Sequence, residues 1–247
     1  HRLDIADAAG IAQVVKDVQP DIIFHLATAK GADSAYRDFV QTSVLGALNL
    51  ISALRGCSFE GRLIVAGSSM EYAPCDHAIP ESHPIKPTTL HGTVKAAAGL
   101  LYSHAALAYG LKITQLRLFH LYGPWESHHR FLPTAIHAAI SGLPLPLSAG
   151  ISRRDWVYVE DVVDALLLAA SPSSPVGIVN IGSGVECDND EIIRAIENIL
   201  GKPITIVAGA IAQRATDSEH RYADISLAGE LLGWHPRHSL RQGIEKT

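Results

Sequence analysis

Cysteine is scarce in this chain of 247 residues: only Cys57, Cys75 and Cys187 are present. An odd number of widely spaced thiols excludes a disulfide framework and shows no zinc-ligand spacing. Free thiols in the reducing cytoplasm are the expectation, with no metal. Blocks of like charge are also missing. The formal net charge is −5, and no basic patch points to nucleic acid. The uncharged run Ala96–Leu111 is shorter than the roughly 20 residues that a membrane-spanning helix needs, and Ser103, His104 and Gly110 interrupt it. No membrane partner is expected, and no signal peptide is visible. The text opens on HRLDIAD without an initiator methionine, so a piece of a longer protein is expected. No glycine triplet with a nucleotide-fingerprint spacing follows a strand; GIVNIGSG at 177–184 has the look of a phosphate loop but not the spacing.

What is present is 47% hydrophobic residues, enough to build one large domain or two small ones. The stretch from Ser68 to Lys95 organises the rest. An apolar strand, RLIVAGSS, delivers Ser68 at its end. A polar loop punctuated by Pro74, Pro80, Pro84 and Pro87 follows, and then an Ala-rich helix opens with His91 and Lys95. Residues four apart on a helix share a face, so His91 and Lys95 point at one spot. A serine leaving a strand reaches the same spot, because ligand crevices in open α/β sheets lie beyond the carboxyl ends of the strands. A hydroxyl, an imidazole and an ammonium gathered there suit proton transfer at a carbonyl or alcohol oxygen.

Around that stretch the chain alternates helix and strand. Ala8–Val18 has helical spacing and Pro20 stops it. DIIFHLATAK reads as a strand buried on both faces, with His25 a satisfied core histidine. Residues 35–56 read as one long helix ended by Gly56. Leu90–Tyr109 is a long helix that is apolar nearly all round. KITQLRLF at 112–119, WVYV at 156–159 and GIVNIG at 177–182 read as further strands. Glu160 and Asp161 are expected to cap the helix after WVYV. NDEIIRAIENILG is an amphipathic helix, and PITIVAG a final strand. His120, His128 and His129 lack ligand spacing, which argues against a metal.

The quoted segments closely resemble the extended short-chain dehydrogenase/reductases, the nucleotide-sugar epimerases and dehydratases. GSSMEY resembles their serine segment, and KPTTLHGTVKAAA resembles the run that carries Tyr-x-x-x-Lys. FHLYGPWE resembles Phe-Asn-x-Tyr-Gly-Pro, and SRRDWVYVEDVVDA resembles Arg-Asp-Phe-Val-Tyr-Val-Asp-Asp-Val-Val-Asp-Ala. The likeness covers nearly the whole chain. It departs at the centre: His91 stands at the tyrosine position, Ser43 and His120 stand where asparagines are usual, and the glycine-rich turn of the first βα unit is absent.

The resemblance implies a Rossmann-like doubly wound parallel sheet, lacking its first strands here, with a smaller C-terminal α/β domain that binds substrate. Residues 1–119, with 155–182 returning, form the dinucleotide part; 120–154 and 183–247 form the substrate part. It implies NAD or NADP as cofactor, with Asp4, Ile5, Leu26, Ala27, Lys30 and Lys95 at its site. Ser68, His91 and Lys95 are the implied catalytic residues. Ser69, Tyr72, His120, Arg130, Arg154, Arg214 and Asp217 are implied to meet a nucleotide-diphosphate sugar, with Arg154 and Arg214 on the diphosphate. Relatives dimerise through two long helices, which makes 35–56 and 90–110 the expected homodimer face.

Three functions follow from this reading. The first is a nucleotide-sugar epimerase or 4-ketoreductase, in which His91, or a neighbour such as Glu71, Tyr72 or Tyr122, moves the proton. Dehydratase is disfavoured, because Ser69-Met70 replaces the Asp-Glu pair that water elimination uses. The second is a non-catalytic sugar-nucleotide or dinucleotide binder that has lost the tyrosine. The third, a reductase of a non-sugar carbonyl, leaves the two arginines without a diphosphate to hold.

Overall fold

A computed structural model of the chain describes residues 2–29, 36–149, 152–212 and 219–247. In order, the elements begin with α1 (Ala8–Val18), β1 (Ile22–His25), α2 (Tyr36–Phe39), α3 (Gly46–Gly56), β2 (Arg62–Ser68) and α4 (Leu90–Tyr109). β3 (Lys112–Leu118), β4 (His120–Tyr122), α5 (Phe131–Ser141), β5 (Leu145–Ser148), β6 (Arg154–Tyr158) and α6 (Val159–Ala169) follow. The chain closes with β7 (Gly177–Ile181), β8 (Glu186–Cys187), α7 (Asn189–Leu200), β9 (Ile206–Ile211), α8 (Ser226–Leu232) and α9 (Leu240–Lys246).

The main sheet is parallel, in the order β1-β2-β3-β7. Successive residues of β2 point to opposite faces, and each face is covered. Leu63 and Val65 pack with Val15 of α1, Leu54 of α3 and Tyr102 of α4. Ile64 packs on the other side with Val162 and Leu166 of α6, Leu232 of α8 and Trp234. Burying each of the three β2 side chains contributes about 1.5–3 kcal/mol. A second core joins α5, α7 and β6 through Leu132, Ala135, Trp156, Ile192 and Ile196.

Helix ends follow local chemistry. Asp7 caps α1 through the Gly10 N–H, and Gln19 closes it in the left-handed region at φ 47°. Asp188 and Glu191 form a reciprocal capping box on α7.

Three local expectations are corrected. β1 is an edge strand among the described residues, bonded to β2 alone, so Ile22 and Phe24 remain exposed rather than buried. The helix over 35–56 is not uniform: a π-helical turn, Val40–Leu45, separates α2 from α3 and carries Ser43. Tyr158 holds the N-cap position of α6, which puts Glu160 and Asp161 inside the first turn. There the buried Asp161 carboxylate accepts from the His238 N–H at 3.1 Å and pairs with its Nδ1 at 2.8 Å.

His25 is buried at the end of β1, its ring edge-on to Tyr102. Burial, helped by the Lys95 charge, brings its pKa down to about 4. The unfolded chain therefore takes up this proton first, near the ordinary value of about 6.5. The sign is fixed: stability from neutral His25 is complete above about 6.5 and is lost as pH falls toward about 4. Urea titrations at pH 7 and pH 4.5 should show this loss, with an upper bound of about 3 kcal/mol. His25→Gln should reduce the dependence.

Candidate active site

β2 ends on Ser68, and the chain turns at once through one 3-10 turn, Ser69–Glu71. The turn is held by Glu71, whose Oε1 accepts the Ser68 N–H at 2.8 Å. Its Oε2 accepts from Arg117 Nε of β3, also at 2.8 Å, and both side chains are buried. The Ser68 hydroxyl accepts the Met70 N–H at 3.2 Å, which leaves its own hydrogen to give.

α4 starts against this turn. Thr89 caps it by accepting the Gly92 N–H at 3.1 Å. Gly92 lies so close to the Met70 carbonyl that a methyl group there would collide with it. Three residues on, Lys95 Nζ donates to the Ala66 carbonyl of β2 at 2.7 Å. The helix start is thus fastened two residues before and two residues after Ser68, and His91 sits beside that fastening. An ammonium has three donors; one of those of Lys95 is spent on Ala66.

The electrostatics are cationic. Burial lowers the His91 pKa, and the charges of Lys95 and Arg130 lower it further, so the imidazole is neutral at pH 7. Burial also lowers the Lys95 pKa, against the pull of Glu71. Arg130 Nη2 reaches His120 Nε2 at 3.2 Å, and the His120 ring lies tilted against Trp156 with the ring centroids 4.2 Å apart. Burial, then Arg130 and Arg154, brings the His120 pKa down to about 3.

Arg154 and Arg221 meet because the segment 219–223 runs along β6. The Arg153 N–H donates to the Glu219 carbonyl at 2.9 Å, and the Asp155 N–H to the Arg221 carbonyl at 3.0 Å. The buried Asp155 carboxylate returns the grip by accepting the Ala223 N–H at 3.0 Å, together with the N–H groups of Ser183 and Gly184. Burial raises the Asp155 pKa, and these donors oppose the rise. Arg221 is buried, donates to the Ser69 carbonyl at 2.6 Å, and has its pKa lowered by burial and by Arg154. The cations of the C-terminal part therefore reach the turn that carries Ser68.

The remaining expected positions divide. Asp4 and Ile5 lie before α1, with Asp4 Oδ1 accepting the Ala6 N–H at 2.9 Å and the Ile5 carbonyl accepting from Asn49 at 3.0 Å. Leu26 and Ala27 are exposed beyond the end of β1. Ser69 is buried and meets Arg221 through its carbonyl. Lys30, Arg214 and Asp217 lie outside the described residues.

Tyr72 is a correction. It is fully buried, its hydroxyl donates to Asn180 Oδ1 at 2.7 Å, and Arg117 covers its ring at 4.6 Å, so it does not face substrate. The same burial removes it as a proton carrier. Glu71 is removed by its pairing with Arg117. Tyr122, also buried, donates to the Leu240 carbonyl at 3.3 Å. Of the residues proposed to move a proton, His91 remains.

Behind Lys95 is a cavity of about 10 Å³, lined in part by His25, Ser43, Tyr102 and Gln115. That is about the room one water needs. The Ser43 Oγ and the Tyr102 hydroxyl are buried there without a protein partner.

A doubly wound α/β sheet with a serine, an imidazole and a lysine at its carboxyl edge is the arrangement of a Rossmann-type enzyme. Residues 1–182 match the NAD dependent epimerase/dehydratase family, and the chain belongs to it. It is 27% identical over 269 residues to a dTDP-glucose 4,6-dehydratase of Xanthomonas campestris pv. campestris, covering 99% of this chain and 76% of that protein. It is 28% identical over 256 residues to the UDP-glucose 4-epimerase of Mycolicibacterium smegmatis, covering 100% of this chain and 80% of that one. Among solved structures it resembles MoeE5 in complex with UDP-glucose and NAD, with a TM-score of 0.90 and 27% identity, covering 100% of this chain and 83% of that chain.

Sequence reasoning missed the Glu71–Arg117 pair and the inward turn of Arg221. A signal for Arg221 existed. The Arg-x-x-Asp pattern occurs at both 214–217 and 221–224, and only the first was assigned a role.

Proposed function

We propose that the protein is an NAD(P)-dependent nucleotide-sugar epimerase or 4-ketoreductase in which His91 does the work of the family's tyrosine. The observation that carries this reading is the convergence of Arg130, Arg154 and Arg221 on the edge that holds Ser68, His91 and Lys95. Guanidinium groups match diphosphate oxygens in charge and fork geometry. A non-sugar carbonyl gives this cluster nothing to hold.

The donor set fits the cofactor. Lys95 has N–H groups beyond the one given to Ala66, suited to ribose hydroxyls, and Leu26 and Ala27 offer an exposed apolar surface at the end of β1. When bound, the nicotinamide supplies hydride acceptance and donation. The chain's own residues handle the proton. Ser68 donates to the reacting oxygen. Neutral His91 takes the proton of the sugar hydroxyl, and the imidazolium so formed gives it back when a ketone is reduced. Burial, helped by the Lys95 and Arg130 charges, holds the imidazole in its neutral form before the reaction.

Residues 1–119 and 155–182 form the cofactor half in this reading, and 120–154 and 183–247 the sugar-nucleotide half. A homodimer through α3 and α4 is supported by exposed Leu48, Leu100 and Leu107. Three free cysteines support a cytoplasmic site.

The test is turnover of UDP- and dTDP-hexoses by the full-length protein with NAD and NADP, followed as sugar interconversion. Arg154→Ala should raise KM by about 10- to 100-fold, the loss of a charge-assisted contact. Nucleotide-sugar binding without turnover would favour the binder. An unchanged KM would remove the diphosphate from the reading.

A further inference from the structure

Apart from this edge, the loop between Ser68 and His91 brings together three residues that the proposed reaction does not use. Cys75, His77 and His83 present one ligand atom each, and these atoms all lie within 4.8 Å of one another. Cys75 is a free thiol. The His77 and His83 rings are 5.5 Å apart, edge to face. His83 Nε2 is buried and has no hydrogen-bond partner. Asp76 holds His77 Nδ1 at 3.2 Å, which turns His77 Nε2 into its ligand nitrogen. A carboxylate behind a ligating histidine is the usual support in metal sites, since it fixes the tautomer and raises basicity.

We propose that Cys75, His77 and His83 bind a zinc-class transition-metal ion that clips the loop over 73–89. The donor set selects the metal: one thiolate and two imidazoles suit Zn²⁺ or Co²⁺ and do not suit the oxygen-seeking Mg²⁺ or Ca²⁺. Bonds of about 2.0–2.3 Å in a tetrahedral site place ligand atoms roughly 3.3–3.7 Å apart. Closing from the present separations needs side-chain shifts of about an ångström. Water completes the fourth position.

The backbone is already arranged for such a clip. The Ala73 N–H donates to the Pro84 carbonyl at 2.9 Å, and Tyr72 bridges Ile85, so Cys75 and His83 come from opposite limbs of one hairpin-like loop. At its tip Ile79 bridges Ala223, beside Arg221. The metal would therefore clip the two limbs of the loop that leads into His91, while the Ile79 bridge holds the tip of that loop to the segment carrying Arg221. The short spacing Cys-x-His, then five residues to a second His, is not one of the familiar zinc patterns, and only the fold exposes the cluster.

The test uses the full chain, stripped with chelator and titrated with Co²⁺ and then Zn²⁺. The expected result is one equivalent of Co²⁺ with a thiolate-to-cobalt charge-transfer band and tetrahedral visible bands, both removed by one equivalent of Zn²⁺. Cys75→Ser should abolish the charge-transfer band, and His83→Gln should weaken Zn²⁺ binding about 100-fold or more. Cys57→Ser and Cys187→Ser should change neither. In the unmutated protein, Zn²⁺ should protect Cys75 from alkylation, read by peptide mapping, so the proposal does not depend on every variant folding. Absence of the charge-transfer band, its survival in Cys75→Ser, or equal alkylation of Cys75 with and without Zn²⁺ would overturn it.

Discussion

His91→Ala should lower turnover of the nucleotide sugar by about 10²- to 10⁴-fold, the span of a lost general base, with substrate KM little changed. The size follows from what stands nearby. Glu71, Tyr72 and Tyr122 are all committed to buried partners, so none of them can take over. The pH profile adds a second reading. Burial and two neighbouring cations depress the His91 pKa, so the active neutral form persists below the ordinary histidine value. The acid limb of kcat/KM should therefore fall below pH ~6.5, and His91→Tyr should move the limb upward, toward the titration of a phenol beside Lys95. Unchanged turnover in His91→Ala would take His91 out of the chemistry.

Glu71→Ala should destabilise the fold by about 3–5 kcal/mol, the cost of leaving a buried charge unpaired. The carboxylate satisfies Arg117 on one oxygen and the Ser68 N–H on the other. Removing it strands a buried guanidinium between β3 and the Tyr72 ring. Urea unfolding followed by circular dichroism measures the loss. Glu71→Gln should cost less, since its amide oxygen still accepts one of the two bonds. The double variant Glu71→Ala, Arg117→Met should recover much of the deficit, because the stranded charge leaves with its partner. If the single and double variants are equally unstable, the pair is not the cause.

The architecture was legible where periodicity and punctuation agree. α1 with Asp7 and Pro20, α4 from Thr89 to Gly110, and α7 between Asp188 and Gly201 all carry their boundaries in the text. The Ser68–Lys95 placement was legible too, because the end of a strand and the first turn of a helix have fixed directions. Burial partners were not. That Glu71 faces inward to Arg117 depends on residues 46 positions apart, and no local pattern records it. Tyr72 misled for the same reason: a tyrosine near a site reads as a ligand until Asn180 is seen to hold its hydroxyl. The exposure of β1 reflects its edge position, which a run of Ile and Phe cannot announce. The turn at Val40–Leu45 escaped because a π-helical turn keeps helical composition while shifting the phase of everything after it.

The contact between Gly92 and the Met70 carbonyl has a consequence for how this protein tolerates change. The imidazole owes its location to a surface pressed on a surface, with Lys95 as the rivet to β2, and not to the length of the tether that joins strand to helix. Residues could be added to or taken from that tether while His91 stays where it is. A single β-carbon at position 92 would displace it.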